Sequence, residues 1–353
     1  SLSNHSYLFQ LTQSILNYVN LKIHRRNKHN TFIPTLANIK NNNLMKKKAH
    51  GIMFHHFHND GLHIKGQGSI DQEQFRRMIK FLYKEQNLIS ANEWYIKAIT
   101  NTLQDTDICI TFDDNLQCQY DIALPVLEEF DLKAFWFMYT SPIEGIHERL
   151  EIYRYFRFSM FKTINDFYNA FNSTVSNSIY NELVIHGMKN YNSKEFLKGF
   201  SFYTEEDKVF RFTRDHILGV DKYFEVMDEM ISNSQMDIEE IAKTLWINKE
   251  GISYLDKTGH MVGLHSHSHP TQIKQLSYDD QLDQYSKNHT ILSSIVTQKI
   301  KAMSHPCNSY NSDTLKVLEK LNIFFGFRAN MEEGYTSKWE YPRLDHAHLI
   351  NKI

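Results

Sequence analysis

Two adjacent carboxylates are the first residues of this chain whose types and spacing could do chemistry. Asp113 and Asp114 directly follow the apolar run Ile108–Phe112. An apolar run of this kind is typical of a strand that is buried on both faces. Two charges at the end of such a strand lie at the rim of a core, where their desolvation is costly without a cation. The alternative is a solvated turn, because Asp and Asn are ordinary turn formers.

A cluster of histidines is the second such feature. His265, His267 and His269 alternate with serines directly after another apolar stretch. If this segment forms a helical turn, histidines at positions i and i+4 lie on one side and can share one metal ion. Two imidazoles and one carboxylate from the other strand end would form a ligand set typical of catalytic Zn²⁺. A solvated histidine-rich loop is the alternative, and we expect His267, which is out of phase, to face the substrate or the surroundings of the ligands.

Predicted strands and helices, which must position both motifs, alternate along the chain. Apolar runs predict strands at 49–57, 108–112, 133–139, 261–264, 299–303 and 324–327, the last being the final strand. Helical periodicity predicts one helix that begins at 69–71. It predicts further helices at 89–99, 120–130, 248–258, 277–295 and 313–321. This alternation is typical of parallel α/β folds, which place their chemistry at the carboxyl ends of the strands.

Two segments depart from the alternation. Residues 145–240 carry helical periodicity without clear strands, which predicts a helical insertion. The insertion is either a cap near the site or a purely structural addition to the fold. Residues 1–44 form an Asn-rich leader without acidic residues, and a basic arm of this kind is either a polyanion-binding or membrane-binding segment or merely solvated. We therefore expect a leader at 1–44 and one catalytic domain at 45–353 that contains the insertion.

Composition narrows the class of protein. The chain has 353 residues and a net charge of −2, which predicts no strong attraction to nucleic acid. Three cysteines at unpatterned spacing indicate a reducing compartment without a disulfide framework. No apolar run approaches the roughly 20 residues of a transmembrane segment, and the first residues make a poor signal peptide. These features predict a soluble, cytoplasmic protein and leave its oligomeric state open.

The two motifs together resemble those of a known family. Thr111-Phe112-Asp113-Asp114, followed about 150 residues later by His265-Ser-His-Ser-His269-Pro270, is similar to the motifs of the polysaccharide deacetylases, carbohydrate esterase family four. The resemblance covers 49–140 and 245–345. It implies a distorted (β/α) barrel with fewer than eight strands, interrupted here by the helical insertion.

The resemblance also implies roles for four residues. Asp113 is the expected base. Asp114, His265 and His269 are the expected ligands of one divalent ion, with Zn²⁺ as the first choice.

The chain departs from the family motifs at several positions. Asn115 stands where the family usually has Gly, and Ser304 stands where the third motif, Arg-x-Pro-Tyr, has the Arg that orients the base. We expect Ser304 to be too short to reach the base. Arg343 could supply the missing guanidinium, or it could be a surface residue paired with Asp345.

The remaining roles fall on residues that match the family less well. The Cys307 backbone N–H, in the Pro306-Cys307 pair, corresponds to the family's oxyanion donor, so both residues are assigned to substrate binding. The family's C-terminal acid is not clearly present. His55, His346 and His348 are candidates, and we favour His55 because it ends a predicted strand, although each histidine taken alone could be structural.

The resemblance implies a metal-dependent N-deacetylase that acts on an N-acylated sugar, expected to be a cytoplasmic precursor of a surface polysaccharide. One alternative is a hydrolase of another amide, similar to a deformylase or an imidase. A second alternative is a non-catalytic glycan-binding module that keeps its metal for structure. The missing Arg of the third motif supports the second alternative, and the intact Asp113 speaks against it.

Overall fold

The computed structural model describes residues 48–196, 204–334, 337–350 and 352–353. The described residues fall into two compact units, one formed by 161–236 and the other by 48–160 together with 237–353. The predicted leader, 1–44, lies outside the described residues. Among the helices that the structure describes, none has both the length and the apolar character that crossing a membrane requires.

The larger unit is built on a parallel sheet. Its strands are β1 (His50–Phe54), β2 (Asn87–Leu88), β3 (Asp107–Phe112), β4 (Phe135–Met138), β5 (Met261–Leu264), β6 (Ala302–Ser304), β7 (Phe325–Phe327) and β8 (Arg343–Asp345). Seven strands follow the order β7-β6-β5-β4-β3-β1-β8, and β2 pairs with β3 outside this order. A parallel bridge between Phe327 and Tyr341 joins the two ends. The predicted distorted barrel with fewer than eight strands in its ring is therefore confirmed.

The α-helices that the structure describes are α1 (Gln72–Glu85), α2 (Ala91–Ile99), α3 (Leu124–Glu129), α4 (Arg149–Met160), α5 (Ile164–Asn177), α6 (Asn181–Met188), α7 (Glu205–Phe212), α8 (Gly219–Asn233), α9 (Ile238–Leu245), α10 (Lys249–Lys257), α11 (Tyr278–Ser293) and α12 (Ser312–Lys320). Several of these helices begin directly after a residue whose side chain caps the helix N-terminus. Asp71 and Gln74 form a capping box at α1, and the Asn248 side chain accepts a hydrogen bond from the Gly251 N–H at the start of α10.

The barrel strands are apolar because they are buried. Every residue of β3 and β4 is buried, as expected for strands of a parallel sheet that is covered by helices. Phe135, Phe137, Phe325 and Phe327 pack with Trp94 of α2 in one aromatic cluster. The same cluster contains Cys109 of β3, Met261 of β5 and Ala302 of β6, the strands whose carboxyl ends carry the candidate site.

The smaller unit is helical and contains α5 to α8. Its core is aromatic, with Phe210 of α7 packing against Phe167, Tyr168 and Phe171 of α5. The range of the predicted helical insertion, 145–240, contains this unit, 161–236.

Two strand predictions need correction. Residues 324–327 do not contain the final strand, because β8 follows them and pairs in parallel with β1, with Gly51 opposite Arg343. A three-residue strand directly after Pro342 has no apolar run that could reveal it. The predicted strand at 299–303 lies instead at 302–304, which brings Ser304 into β6.

Candidate active site

The candidate site lies where several parallel strands end. Asp113 and Asp114 directly follow β3, His265 directly follows β5, and Ser304 is the last residue of β6. Carboxyl ends of parallel strands meet on one face of a barrel, which is the face that carries chemistry in this architecture. The structure therefore brings together motifs that are separated by about 150 residues in the sequence.

Asp114, His265 and His269 form the tightest cluster. The Nε2 atom of each histidine lies 3.3 Å from Asp114 Oδ1. One ligand atom from each of the three residues lies within 4.8 Å of the others, a spacing that could hold one metal ion. The two histidines reach this arrangement from a loop, with Ser266 at φ 65° and His269 at φ 53°, so the predicted helical turn is wrong.

The chemistry of this cluster fits a divalent cation. Among the residues that the structure describes, Asp114 Oδ1 is buried without a hydrogen-bond partner. Burial raises the pKa of Asp114, but His269 and His265 outweigh burial and hold it well below its usual range. Burial lowers the pKa of His269 to about 4, which keeps its imidazole neutral and its lone pair available. Burial lowers the pKa of His265, but Asp113 and Asp114 outweigh burial and raise it above its usual value. Two imidazole nitrogens and one carboxylate oxygen are nevertheless a donor set that suits Zn²⁺, which would take the place of a proton on His265.

Ser304 fixes the tautomer of His265. The His265 Nδ1 atom lies 3.0 Å from the Ser304 carbonyl oxygen and 2.7 Å from Ser304 Oγ. A carbonyl oxygen only accepts, so Nδ1 carries the proton that it donates. In the neutral imidazole, the Nε2 lone pair then faces Asp114. Metal-ligating histidines are commonly oriented in this way through their second nitrogen.

The backbone after the Asp pair explains one departure from the family motif. Asp114 has φ 78° and Asn115 has φ 56°, so two consecutive residues are left-handed. Glycine adopts this region freely, and among other residues Asn is one of those that tolerate it best. The Ile247 N–H donates to the Asn115 carbonyl at 3.0 Å and holds the turn from the segment before α10. Asn115 thus adopts the left-handed conformation of this turn without the Gly of the family motif.

Arg343 forms a two-pronged ion pair with Asp113. Its Nη1 and Nη2 atoms lie 2.7 Å from Asp113 Oδ1 and Oδ2, respectively. The Arg343 Nε–H donates to the Arg328 carbonyl at 2.8 Å, and the residue is 1% exposed, which excludes a surface position beside Asp345. Burial raises the pKa of Asp113, but the guanidinium outweighs burial and keeps the carboxylate ionised.

Gly51 makes room for this guanidinium. A Cβ atom at Gly51 would lie 3.0 Å from Thr111 Cγ2 and 3.1 Å from Arg343 Cγ. Because β1 pairs with β8 at this position, a side chain there would displace the stem of Arg343. Nothing in the sequence pattern singles out Gly51, since its partner strand was not predicted.

Ser304 reaches Asp113, contrary to the expectation that it would be too short. Its hydroxyl donates to Asp113 Oδ1 at 3.1 Å. The side chain is fully buried at the end of β6 and points into the barrel, so a short side chain suffices. Ser304 and Arg343 together contact the carboxylate that a single Arg orients in the family motif.

Gln119 is a site residue that sequence reasoning missed. Its Nε2 donates to the His55 carbonyl at 2.8 Å and to the Asp113 carbonyl at 2.6 Å, and the side chain is fully buried. The amide therefore ties the end of β1 to the end of β3. A buried Gln six residues after the first Asp of the pair is the signal, but only the structure reveals both carbonyls.

His55 is the acid candidate that the structure places next to the Asp pair. Its Nε2 lies 3.9 Å from Asp113 Oδ2 and 3.9 Å from Asp114 Oδ2, with 29% of the side chain exposed. His346 instead donates to the Gly68 carbonyl at 3.0 Å and stacks on Phe54, as a structural histidine does. His348 lies in the same one-turn helix as His346, at 346–348.

Pro306, Cys307 and His267 complete the set of candidate residues. Pro306 and Cys307 lie in the turn after β6, with Cys307 left-handed at φ 50°. Burial, followed by the charge of Asp114, raises the pKa of the Cys307 thiol. His267 points away from the ligands, with Nδ1 3.0 Å from Thr140 Oγ1, and ties its loop to the end of β4.

Comparison with a protein-family model gives a match to polysaccharide deacetylases over residues 222–325. The matched segment contains both candidate histidine ligands and the turn with Cys307. In these motifs and in its fold, the chain resembles the polysaccharide deacetylases. Among curated proteins, the comparison found no match to the chain.

Solved structures are similar to the chain at low sequence identity. A de-N-acetylase from Aggregatibacter actinomycetemcomitans is 9% identical, with a TM-score of 0.50 over 85% of this chain and 95% of that one. The Streptococcus pyogenes deacetylase PplD, in complex with acetate, is 16% identical, with a TM-score of 0.47 over 84% and 92%. A family-four pseudoenzyme from Bacillus anthracis is 24% identical over 21% of this chain and 26% of that one, with a TM-score of 0.21.

Proposed function

We propose that the chain is a metal-dependent N-deacetylase that removes the acetyl group from an N-acetylated sugar of a surface polysaccharide precursor. The observation that carries this proposal is the geometry of adjacent carboxylates. Asp113 is held by Arg343 and Ser304, while Asp114 faces two imidazole nitrogens at 3.3 Å. One carboxylate is thus oriented for proton transfer and the other for a cation.

The cation proposed for Asp114, His265 and His269 is Zn²⁺. When bound, it supplies Lewis-acid chemistry by polarising the amide carbonyl and lowering the pKa of a water to about 7. Asp113 takes a proton from the water that attacks the carbonyl carbon, and its ionised state suits this role. Arg343 holds both carboxylate oxygens during the transfer.

Two further groups take part in the reaction, one as the tetrahedral species forms and the other as the nitrogen departs. The Cys307 backbone N–H donates to the oxygen that gains negative charge as the carbonyl carbon becomes tetrahedral. His55, beside both carboxylates and partly exposed, delivers a proton to the departing nitrogen. The C–N bond breaks, and the products are acetate and an amino sugar.

We place the substrate on the cytoplasmic side as part of this proposal. The support is that Cys109, Cys118 and Cys307 are free thiols, as is usual in a reducing compartment. A nucleotide-linked or lipid-linked N-acetyl sugar is the matching class of precursor.

Acetate release by the Zn²⁺-loaded protein tests the proposal. The substrates are N-acetylglucosamine, N-acetylgalactosamine, their nucleotide-linked forms and short oligomers, compared with N-formylated sugars and a cyclic imide. We expect acetate from at least one N-acetyl sugar and none from the Asp113→Asn variant. Hydrolysis of the imide alone would overturn the sugar assignment. Binding of sugars without hydrolysis by the metal-loaded protein would favour the glycan-binding module.

A further inference from the structure

His269 is a candidate metal ligand whose ring is not oriented by a hydrogen bond. The second nitrogen of His265 is fixed by Ser304, as is common for metal-ligating histidines. Among the residues that the structure describes, the Nδ1 atom of His269 has no hydrogen-bond partner. The residue lies on a loop with φ 53°, and 14% of its side chain is exposed. Contacts of another kind must therefore hold its Nε2 atom towards Asp114.

Two rings contact the His269 imidazole. The centroid of the Tyr139 ring lies 5.1 Å away at an interplanar angle of 36°, and that of the His265 ring lies 5.0 Å away at 38°. Aromatic pairs attract each other at centroid distances of about 4.5–7 Å, and one pair contributes about 0.5–1.5 kcal/mol beyond its burial. Rotation of the imidazole about its Cβ–Cγ bond would disturb both contacts. A neighbouring ring that cannot move therefore restricts the direction in which Nε2 points.

Tyr139 is a neighbour of this kind. It directly follows β4 and is 2% exposed. Its hydroxyl oxygen accepts a hydrogen bond from the Trp246 Nε1–H at 2.5 Å. The two rings lie at 75° to each other, with their centroids 6.5 Å apart. The Tyr139 side chain is thus held at both ends, by the sheet at its Cα atom and by the indole at its hydroxyl.

Trp246 is in turn bonded to the turn that carries another candidate ligand. Its main chain forms an antiparallel bridge with Leu116, two residues after Asp114. The residue that follows Trp246 donates its N–H to the Asn115 carbonyl at 3.0 Å. A continuous path of contacts therefore runs from the Asp114 turn, through the indole and the phenol, to the His269 imidazole.

A third ring restricts the indole. The His147 ring stacks on Trp246 at an interplanar angle of 8°, with the centroids 5.8 Å apart. The His147 Nε2 atom lies 3.0 Å from Glu239 Oε2 of α9. Trp246 is itself 6% exposed. The indole therefore cannot turn away from the Tyr139 hydroxyl without breaking contacts to several segments of the larger unit.

From these contacts we propose that Tyr139 and Trp246 are positioning residues of the metal centre. The Trp246 N–H fixes the Tyr139 hydroxyl, and the Tyr139 ring fixes the His269 imidazole with its Nε2 atom towards Asp114. This inference rests on the metal centre of the proposed function. It adds that the affinity of the centre for its ion depends on a hydrogen bond between two residues outside the ligand set.

Competition for Zn²⁺ between the full chain and a chromogenic chelator tests the inference without turnover. Tyr139→Phe keeps the ring and removes the acceptor of the indole N–H. The Kd for Zn²⁺ should rise about tenfold, the lower end of the 10–100-fold that the loss of a ligand-orienting group typically costs. Tyr139→Leu removes the ring as well, and its Kd should rise towards about 100-fold. An unchanged Kd in both variants would overturn the inference.

A double-mutant cycle tests the path between the two residues. Trp246→Phe removes the donor of the same hydrogen bond and keeps a ring on which His147 can stack. It should weaken Zn²⁺ binding as much as Tyr139→Phe does. The double variant should bind Zn²⁺ no more weakly than either single variant, because both substitutions delete one interaction. Additive losses would show that the two residues act separately and would overturn the proposed path.

The visible spectrum of the Co²⁺-substituted protein separates positioning from a structural role, because it reports the geometry of the ligands. Tyr139→Phe should change this spectrum. If Tyr139→Phe only lowered the free energy of unfolding, with the Kd and the spectrum unchanged, the positioning role would be refuted.

Tyr310→Phe is the matched control. Tyr310 stacks on His305, with the ring centroids 4.0 Å apart, and its hydroxyl donates to Glu340 at 2.8 Å. This substitution therefore also removes a bonded hydroxyl from a ring that packs on a histidine. His305 is not a candidate ligand, so the Kd for Zn²⁺ and the Co²⁺ spectrum should stay unchanged. Equal changes in Tyr310→Phe and Tyr139→Phe would contradict the specific role of Tyr139.

The inference and the proposed function fail in different ways. If the Tyr139 variants lose affinity for Zn²⁺ but the unsubstituted protein releases acetate from no N-acetyl sugar, the deacetylase proposal is wrong and the positioning role stands. If acetate is released while the variants keep the Kd and the Co²⁺ spectrum of the unsubstituted protein, the enzyme stands and the positioning role is wrong.

Discussion

Asp113 and Arg343 face each other through two matched contacts of 2.7 Å, although 230 residues separate them in the chain. The planar fork of the guanidinium holds both carboxylate oxygens, which a point charge cannot do. Arg343→Lys should therefore lower kcat by roughly 10- to 100-fold, since a hydrogen bond to a charged group contributes about 1.5–3 kcal/mol. KM should change little, as the guanidinium contacts no substrate.

The control for this substitution is a second forked pair, which joins α1 to α3. Arg76 contacts both oxygens of Glu129 at 2.7 Å, near the surface. Arg76→Lys should leave kcat unchanged, because only the surface pair loses its geometry. Equal kcat in Arg343→Lys and the unsubstituted protein would remove Arg343 from the catalytic machinery.

A second prediction concerns the base. Asp113→Asn should keep Zn²⁺ at the level of the unsubstituted protein and lose activity by about 10²–10⁴-fold, the usual contribution of general acid–base catalysis. Metal content by mass spectrometry and acetate release are the measurements. Simultaneous loss of metal and activity would show that Asp113 is a ligand.

A third prediction concerns the metal. Asp114→Asn removes the anionic donor between two imidazoles, so the protein should no longer retain stoichiometric Zn²⁺ after dialysis. His267→Asn, in the same histidine cluster but pointing towards Thr140, is the control and should retain it. If both variants behave alike, the ligand set proposed here is wrong.

The sequence could predict the motifs, but not all of the residues that hold the motif side chains in place. The strand ends that carry Asp113, Asp114 and His265 follow from apolar runs, because buried parallel strands leave a continuous apolar signature. The three-residue strand β8 leaves no such signature. The sequence therefore could not predict that Gly51 lies next to Arg343, or that the Arg343 side chain is buried. The reach of Ser304 depends on which way it points within β6, which the misplaced strand boundary concealed.

A fourth prediction follows from Gln119, which ties the His55 and Asp113 carbonyls together. Gln119→Met keeps the length of the side chain but removes both donors, leaving two buried carbonyls without this partner. The free energy of unfolding should fall by about 2–3 kcal/mol. In addition, kcat should fall and the visible spectrum of the Co²⁺-substituted protein should change, because Asp114 follows the freed peptide directly.

The half-buried neighbour Gln117, which donates to Asp121 at 2.8 Å, provides the matched control. Gln117→Met should change neither kcat nor the Co²⁺ spectrum. A purely structural role for Gln119 would lower stability and leave the spectrum and kcat as they are, which would refute the positioning role.

A fifth prediction concerns pH and stability. His260 Nδ1 accepts hydrogen bonds from the Ala134 N–H at 3.1 Å and the Trp136 Nε1–H at 3.2 Å. Burial, with Lys133, lowers the pKa of His260 to about 3. The unfolded chain takes up a proton below about pH 6.5 and the folded chain does not, so the free energy of unfolding should fall between pH 6.5 and 3.

Urea unfolding at pH 7 and pH 5 measures this loss, which should reach about 2 kcal/mol at pH 5 for this group. His260→Asn, whose amide oxygen can still accept but does not titrate, should lose less stability over this interval. His186→Asn, at an exposed position of α6, should behave like the unsubstituted protein. The same pH dependence in His260→Asn would assign the effect to other groups.

The position of Arg343 in β8 also sets an order of events during synthesis. A ribosome adds roughly 5–20 residues per second, so Asp113 emerges tens of seconds before the residue that will hold it. Until then, ring closure through β8 is impossible and the carboxylate has no guanidinium to bury against. The forked pair between Asp113 and Arg343 can therefore exist only on a chain that has been translated through β8. Prematurely terminated products would carry all three candidate metal ligands and still lack the guanidinium that holds Asp113.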